Sequence, residues 1–334
     1  MSWTQHGGAL AAARAAFGDG AWLDLSTGIN PHGWPGADGM HIDWSRLPGE
    51  DDLRALEMAA ADYFGVDQAY VAALPGTEIG LRLLGALLDG PAHHLTPTYR
   101  THAEMVAAST SVADVGLVRD GTLILANPNN PDGRVLPARD LLAIHDRLRR
   151  RGGWLVVDEA FADAGAIDLT PHGANTDVSI SIAPHVSDDA RLILFRSFGK
   201  FFGLAGVRLG FVIAPRAVIA RMRALLGAWP VSAAAIAIGT AAYRDADWIV
   251  AMRARLARDA ADLDAVLLRC GLSPIGRCPL FRLVEVADAN ATFTRLARRA
   301  ILTRPFDYDP RWLRLGLPGG KDALERLETA LADG

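Results

Sequence analysis

Short apolar runs recur along the chain, each bounded by glycine, proline, asparagine or aspartate. Runs at Val71–Leu74, near His94–Thr96 and at Thr122–Ala126, Trp154–Val157, Leu192–Phe195 and Leu209–Ala214 are continuous rather than alternating. That pattern predicts strands covered on both faces. Trp22–Leu25 predicts a shorter one. Between them the apolar positions change to helical spacing, as in Leu136–Arg150. A helix is expected over Glu50–Phe64, with acidic residues in its first turn and Gly65 after its end, and a short Ala-rich one over Ala9–Phe17. Strands alternating with helices predict an α/β fold with a largely parallel sheet. Past Trp229-Pro230 the texture changes to long Ala/Leu/Arg helices over 232–269. A smaller α/β segment follows: Leu280–Val286, a helix near Ala291–Arg299, Ile301–Arg304, Trp312–Leu315 and a final helix over Lys321–Ala332. The expected division is an N-terminal arm (1–33), a large domain (34–229) and a small C-terminal domain (230–334).

Composition narrows the function classes. The 334 residues suffice for a large core and two domains. Half are hydrophobic and 22% charged, as in a soluble globular protein. The net charge of −4 gives no reason to expect nucleic acid or an anionic membrane surface as a partner. Cys270 and Cys278 make neither a disulfide framework nor a zinc-ligand spacing, so no metal site is expected. No apolar run approaches the ~18 residues that span a bilayer. The N-terminus lacks a basic start followed by an apolar stretch, so a cytoplasmic location is expected.

The chemistry gathers where strands end, which in open α/β sheets is where ligands bind. Lys200 lies in RLILFRSFGKFFGLAGVRLGFVI (191–213), among Phe198, Phe201 and Phe202. Desolvation there would lower its pKa and leave a neutral amine able to condense with a carbonyl. Ser197 and Arg208 offer a hydroxyl and a cation to a phosphate. The turn Gly76-Thr77-Glu78, opening a helix, adds backbone N–H groups suited to the same anion. A carbonyl-binding lysine beside a phosphate site points to pyridoxal 5'-phosphate. Asp158, ending an apolar strand, would face the ring nitrogen. Asn130, in NPNNPDG, would donate to the ring hydroxyl. His102 in PTYRTH would lie flat on the ring, with Tyr99 competing for that place. Each residue alone has a plainer explanation: a helix cap for Asp158, an Asn-Pro turn for Asn130, a structural histidine. Their joint occurrence at successive strand ends favours the cofactor.

The order Gly-Thr-Glu, PTYRTH, NPNNPDG, DEAF and SFGKFFGLAGVRLGF resembles the fold type I pyridoxal-phosphate aminotransferase superfamily over nearly the whole chain. It is most similar to the histidinol-phosphate aminotransferase branch. His6-Gly7-Gly8, STGINPHG (26–33) and DEAFAD (158–163) resemble that branch's cobalamin-pathway members, the threonine-phosphate decarboxylases and their aminotransferase-like relatives. The resemblance implies a large domain with a mixed seven-stranded sheet, a small domain and a homodimer with active sites at the interface. It implies that Arg314 takes the substrate α-carboxylate, and that Arg304, with His6 and Asn30, holds a substrate phosphate. The chain departs from the wider family at Phe161, where a tyrosine is usual, and at Arg46-Leu47-Pro48-Gly49, where a partner-donated phenol is expected.

Three functions follow. The first is decarboxylation of L-threonine O-3-phosphate to an aminopropanol phosphate for cobalamin biosynthesis. The second is transamination of histidinol phosphate or a similar phosphorylated amine by the same residues. The third is a non-catalytic pathway scaffold, suggested by the missing tyrosines.

Overall fold

The computed structural model of the chain describes Trp3, residues 6–165 and residues 180–332. Met1, Ser2, Thr4 and Gln5 of the expected arm, and residues 333–334 of the expected C-terminal domain, lie outside the described residues. Helix α1 (Leu10–Phe17) and strand β1 (Leu23–Asp24) come first, then α2 (Glu50–Phe64). Glu50, Asp51 and Asp52 occupy the first turn of α2, and Gly65 ends it in the left-handed conformation at φ 69°. A strand–helix series follows: β2 (Val71–Leu74), α3 (Thr77–Gly85), β3 (Ala92–Leu95), α4 (Arg100–Glu104), β4 (Ser109–Val112), β5 (Thr122–Ala126), α5 (Ala138–Arg149) and β6 (Trp154–Asp158). Next come β7 (Leu192–Ser197), α6 (Phe198–Phe201), β8 (Gly210–Ile213) and α7 (Arg216–Leu226). The remainder is α8 (Ala233–Arg244), α9 (Ala246–Arg269), β9 (Phe281–Glu285), α10 (Ala289–Ala297), β10 (Ile301–Leu302), β11 (Arg304–Pro305), β12 (Trp312–Gly316) and α11 (Lys321–Ala332).

Seven strands form one sheet in the order β2-β8-β7-β6-β5-β3-β4. The neighbours from β7 to β4 are parallel, and only β8 runs against the rest. Alternate side chains feed two cores, as the two-residue period of a strand requires. Leu123, Leu125, Leu155, Val157, Leu192 and Leu194 enter the larger core. Ile124, Val156 and Ile193 enter a second core on the opposite face, with Leu81 and Leu84 of α3. Both faces are therefore dry, which explains why these strands read as unbroken apolar runs. The edge strand β4 was not legible that way: Thr110 and Ser111 are exposed, and an edge strand needs no apolar pattern.

A three-stranded sheet, β11-β12-β9, carries the C-terminal chemistry. The N-terminal segment is tied to this part of the molecule. β1 pairs in parallel with β10, Leu23 facing Ile301. The N–H of Gly316 donates to Leu25 O at 2.7 Å.

One ionic cluster is buried behind β6 and β7. Arg196 donates to Glu159 Oε2 at 3.0 Å and also to Asp163, and Glu159 accepts from Ser181 Oγ at 2.7 Å. Both carboxylates are fully buried. Glu159 and Asp163 of the DEAFAD segment are thus committed to Arg196. Removing one member of a buried ion pair strands the other without water, at about 3–5 kcal/mol. Arg196→Ala should accordingly lower the urea midpoint of unfolding sharply. Arg216→Ala, which breaks an exposed pair with Asp188, should leave that midpoint nearly unchanged. Equal midpoints for the two variants would contradict this account.

Candidate active site

The C-terminal ends of the parallel strands, the start of α3 and the β11–β12 pair enclose a cavity of about 250 Å³. Asp158 stands at the end of β6, Ser197 at the end of β7, Asn130 in the loop after β5, and Lys200 in α6. All four line the cavity, together with Gly76, Thr77, Glu78, Tyr99, Arg208, Arg304, Arg314 and His6. Residues separated by more than 300 positions meet here because the strand ends converge.

Lys200 is half-buried, and its Nζ lies 5.7 Å from the ring centroid of Phe161. Burial lowers its pKa to about 8, assisted by the cations of Arg314, Arg304 and Arg208. The expected desolvation is present, but the phenyls expected around the amine are not the ones beside it. Phe198, Phe201 and Phe202 point into the core, where Phe198 stacks on Phe202 at 4.6 Å and Phe202 on Trp248 at 5.5 Å. Phe161 is the phenyl that borders the amine, and it packs edge-on against Phe281 at 5.1 Å.

Gly76 precedes α3 at φ +91°, where a side chain is strained. A Cβ there would also come within 2.8 Å of Arg208 Nη2. The turn therefore sets the guanidinium, whose Nη1 donates to Ala205 O at 3.2 Å, beside the start of α3, where the first N–H groups have no acceptor within the helix. The N–H of Gly76 itself donates to Leu74 O at 2.7 Å.

Arg304 and Arg314 face each other across β11 and β12. Directly opposed residues share one face of a sheet, so both guanidinium groups enter the cavity. Arg314 is 3% exposed; it donates from Nη1 to Asn130 Oδ1 at 2.6 Å and from Nη2 to Ser26 O at 2.9 Å. Its Nε is buried without a partner. Burial, with the Arg304 cation second, pushes its pKa down to about 9, and burial lowers that of Arg304 as well. Because Asn130 Oδ1 accepts from Arg314, the Asn130 amide presents its N–H groups to the cavity.

Two residues expected at the site are elsewhere engaged. His102 is fully buried and does not line the cavity; Tyr99 does. His102 donates from Nε2 to Asp158 Oδ2 at 3.1 Å while its Nδ1 accepts from Thr98 Oγ1 at 2.7 Å. It lies behind the carboxylate, where it cannot lie flat on a ligand. Asn30 is also buried and does not line the cavity. Its Nδ2 donates to Phe201 O at 2.8 Å, its Oδ1 accepts from His32 N at 2.9 Å, and its own N–H donates to Lys200 O at 2.9 Å. It braces the lysine's backbone from inside the core and does not border the space a substrate phosphate would occupy. Thr27 lines the cavity and was passed over in the sequence, where it reads as loop chemistry in STGINPHG.

His6 reaches the cavity because Gly7 fits closely against the chain: a Cβ at Gly7 would lie 2.3 Å from Ser26 O. Gly8 N–H then donates to Ser26 Oγ at 2.7 Å.

The cavity thus holds a lysine and three arginines against Asp158 and Glu78; Arg304 and Arg314 are buried, Lys200 is half-buried and Arg208 is exposed. Such an excess of cations suits a ligand set carrying several negative charges, with a carbonyl near Lys200 and a phosphate at the start of α3. Those are the demands of pyridoxal phosphate and an anionic substrate, and the residues present fit them.

The fold and site are those of a type I pyridoxal-phosphate enzyme. A family profile described as "Aminotransferase class I and II" matches residues 92–331, and the chain belongs to that family. A threonine-phosphate decarboxylase of Sinorhizobium sp is 40% identical over 337 residues, covering 98% of this chain and 97% of that one. Among solved structures, the histidinol-phosphate aminotransferase of Sinorhizobium meliloti in complex with pyridoxal-5'-phosphate superposes with a TM-score of 0.80. It has 20% identity and covers 97% of this chain and 93% of its own. The L-threonine-O-3-phosphate decarboxylase of Porphyromonas gingivalis superposes at 0.75, with 19% identity, 92% of this chain and 98% of that one. The chain is an enzyme, which sets aside the scaffold reading.

A lowered lysine pKa has a direct consequence. Only the neutral amine condenses with a carbonyl. Uptake of pyridoxal phosphate by the apoprotein, followed by absorbance, should quicken as pH rises through about 8 and level off above it. Arg314→Met removes one of the cations that depress the lysine, so the midpoint should move upward. A midpoint that stays in place in the variant would contradict the electrostatic cause.

Proposed function

We propose that this chain is a pyridoxal-phosphate-dependent decarboxylase of L-threonine O-3-phosphate, forming (R)-1-aminopropan-2-yl phosphate for cobalamin biosynthesis. The observation that carries it is the pairing of Arg304 with Arg314 across β11 and β12 in the same cavity as Lys200. One substrate bearing both a carboxylate and a phosphate engages both arginines. The 40%-identical decarboxylase supports the same reading.

The roles follow from position. Lys200 attaches the cofactor. The first N–H groups of α3, at Thr77 and Glu78, hold its phosphate with Ser197 and Arg208; Gly76, whose own N–H donates to Leu74 O at 2.7 Å, serves by turning the chain at positive φ rather than by its amide. Asp158, its other flank held by His102, keeps a proton on the ring nitrogen. Asn130 donates to the ring oxygen alone, because Phe161 has no hydroxyl to share that task. Tyr99, which lines the same cavity, would border the ring. When bound, the cofactor supplies an electron sink for the pair left at the α-carbon when a bond to it breaks.

Arg314 grips the α-carboxylate through its planar fork. Arg304 and His6 hold the substrate phosphate and so set the rotation of the α-carbon substituents against the ring. Lys200, or a water, would supply the proton that the α-carbon takes up in place of the carboxylate lost as carbon dioxide. An ammonium with a lowered pKa gives up that proton readily at neutral pH.

The same reading takes the chain as an N-terminal arm (1–33), a large domain (34–229) and a small domain (230–334), acting as a cytoplasmic homodimer with shared active sites. No helix among the described residues is long and apolar enough to cross a membrane.

Purified holoenzyme should release carbon dioxide from L-threonine O-3-phosphate with no keto acid present, and Lys200→Ala should abolish both the release and the visible band of lysine-bound cofactor. Arg304→Ala should raise KM for the phosphorylated substrate by about 10-fold or more, the loss of a charge-assisted contact. Turnover of histidinol phosphate that requires a keto acid, without carbon dioxide release from threonine phosphate, would establish the aminotransferase reading instead.

A further inference from the structure

Glu78 does more than lend a backbone N–H. Its carboxylate collects donors from its own helix and from the start of the next one. Oε2 accepts from Tyr99 Oη at 2.9 Å and from Thr101 Oγ1 at 2.7 Å. Oε1 accepts from Arg82 Nε at 2.7 Å, and Arg82 Nη2 donates onward to Glu104 Oε2 at 2.9 Å. Glu78 lies in the first turn of α3, while Tyr99 is the residue that caps α4. One carboxylate therefore joins the helix start at the phosphate-binding turn to the ring that borders the same cavity. Tyr99 is half-buried and Thr101 1% exposed, so their two bonds to Glu78 are partly sheltered from competing water, while the bond from Arg82 is exposed.

We infer that Glu78 is a positioning residue: its carboxylate sets the spacing between the phosphate-binding turn of α3 and the ring of Tyr99, and so fixes the cofactor plane. The inference rests on the reading that pyridoxal phosphate binds in this cavity with Tyr99 against its ring. Glu78 acts through Tyr99 and touches no reacting atom. Hydrogen bonding to the carboxylate holds its pKa below the ordinary value, against the opposing effect of burial. Burial and the adjacent carboxylate push the Tyr99 phenol up to about 12. The pair therefore stays a phenol donating to a carboxylate across the neutral range. A carboxylate beside a phosphate site is also costly unless its charge is taken up, and Arg82 with the two hydroxyls takes it up.

The test uses holoenzyme and reads cofactor dissociation and the circular dichroism induced in the cofactor band, alongside turnover. Glu78→Ala keeps the backbone N–H but releases Tyr99. It should weaken pyridoxal phosphate binding about 10-fold, the worth of a charge-assisted hydrogen bond, and diminish the induced signal. Tyr99→Phe keeps the ring but removes the donor, and should give a loss of similar size. In the Tyr99→Phe background, Glu78→Ala should add less than about 3-fold, since coupled residues are not additive. Glu78→Gln retains an acceptor oxygen and should recover most of the signal, which a general loss of folding would not allow. The inference is overturned if Glu78→Ala binds and orients the cofactor as the unaltered protein does. It is equally overturned if the full loss recurs in the Tyr99→Phe background. Failure of the unaltered protein to bind pyridoxal phosphate would overturn the cofactor reading itself, and this inference with it.

Discussion

The site depends on a surplus of positive charge, most of it held out of water. Lys200, Arg304, Arg314 and the exposed Arg208 share a cavity with the carboxylate residues Asp158 and Glu78. Two buried guanidinium groups side by side on adjacent strands repel each other, and desolvation adds to the cost. The register of β11 and β12 forces the proximity, and the bonds from Arg314 to Asn130 and Ser26 keep it in place. Anions relieve that strain when they enter. The same electrostatics lower the lysine's pKa and leave it reactive, so binding and reactivity have one origin.

A second buried arginine makes the contrast plain. Arg196 lies on β7, one residue before Ser197, and is as deeply buried as Arg314. It has Glu159 and Asp163 beside it, so its charge is balanced within the protein. Asp158 and Glu159 are adjacent in sequence yet belong to opposite economies of charge. One faces the cavity and the other is neutralised within the core, because successive residues at a strand end point to opposite sides.

Much of this was legible in the chain itself. Continuous apolar runs predicted buried strands, and both faces of the sheet are in fact covered. Lys200, Asp158, Asn130, Ser197, Arg208 and the Gly76 turn were found from residue type at strand ends, and all of them line one cavity. Side-chain direction was not legible. Tyr99 and His102 lie three residues apart in PTYRTH, and either ring could have reached the site. Tyr99 is in extended backbone before α4, at ψ 129°, and its ring borders the cavity. His102 lies inside the helix, and its ring turns back beneath Asp158. Asn30 was misjudged for a related reason: its amide satisfies backbone groups of Phe201 and His32, which become neighbours only on folding.

By itself the sequence determined the order of elements, the α/β class and the kinds of groups that gather at the strand ends, because periodicity and residue chemistry are local properties. The tertiary structure alone decided which of those groups face the cavity and which charges are neutralised elsewhere. It decided too that Phe161, rather than the phenyls flanking Lys200 in sequence, borders the amine. Burial and charge balance are sums over neighbours from distant parts of the chain, and no window of sequence contains them.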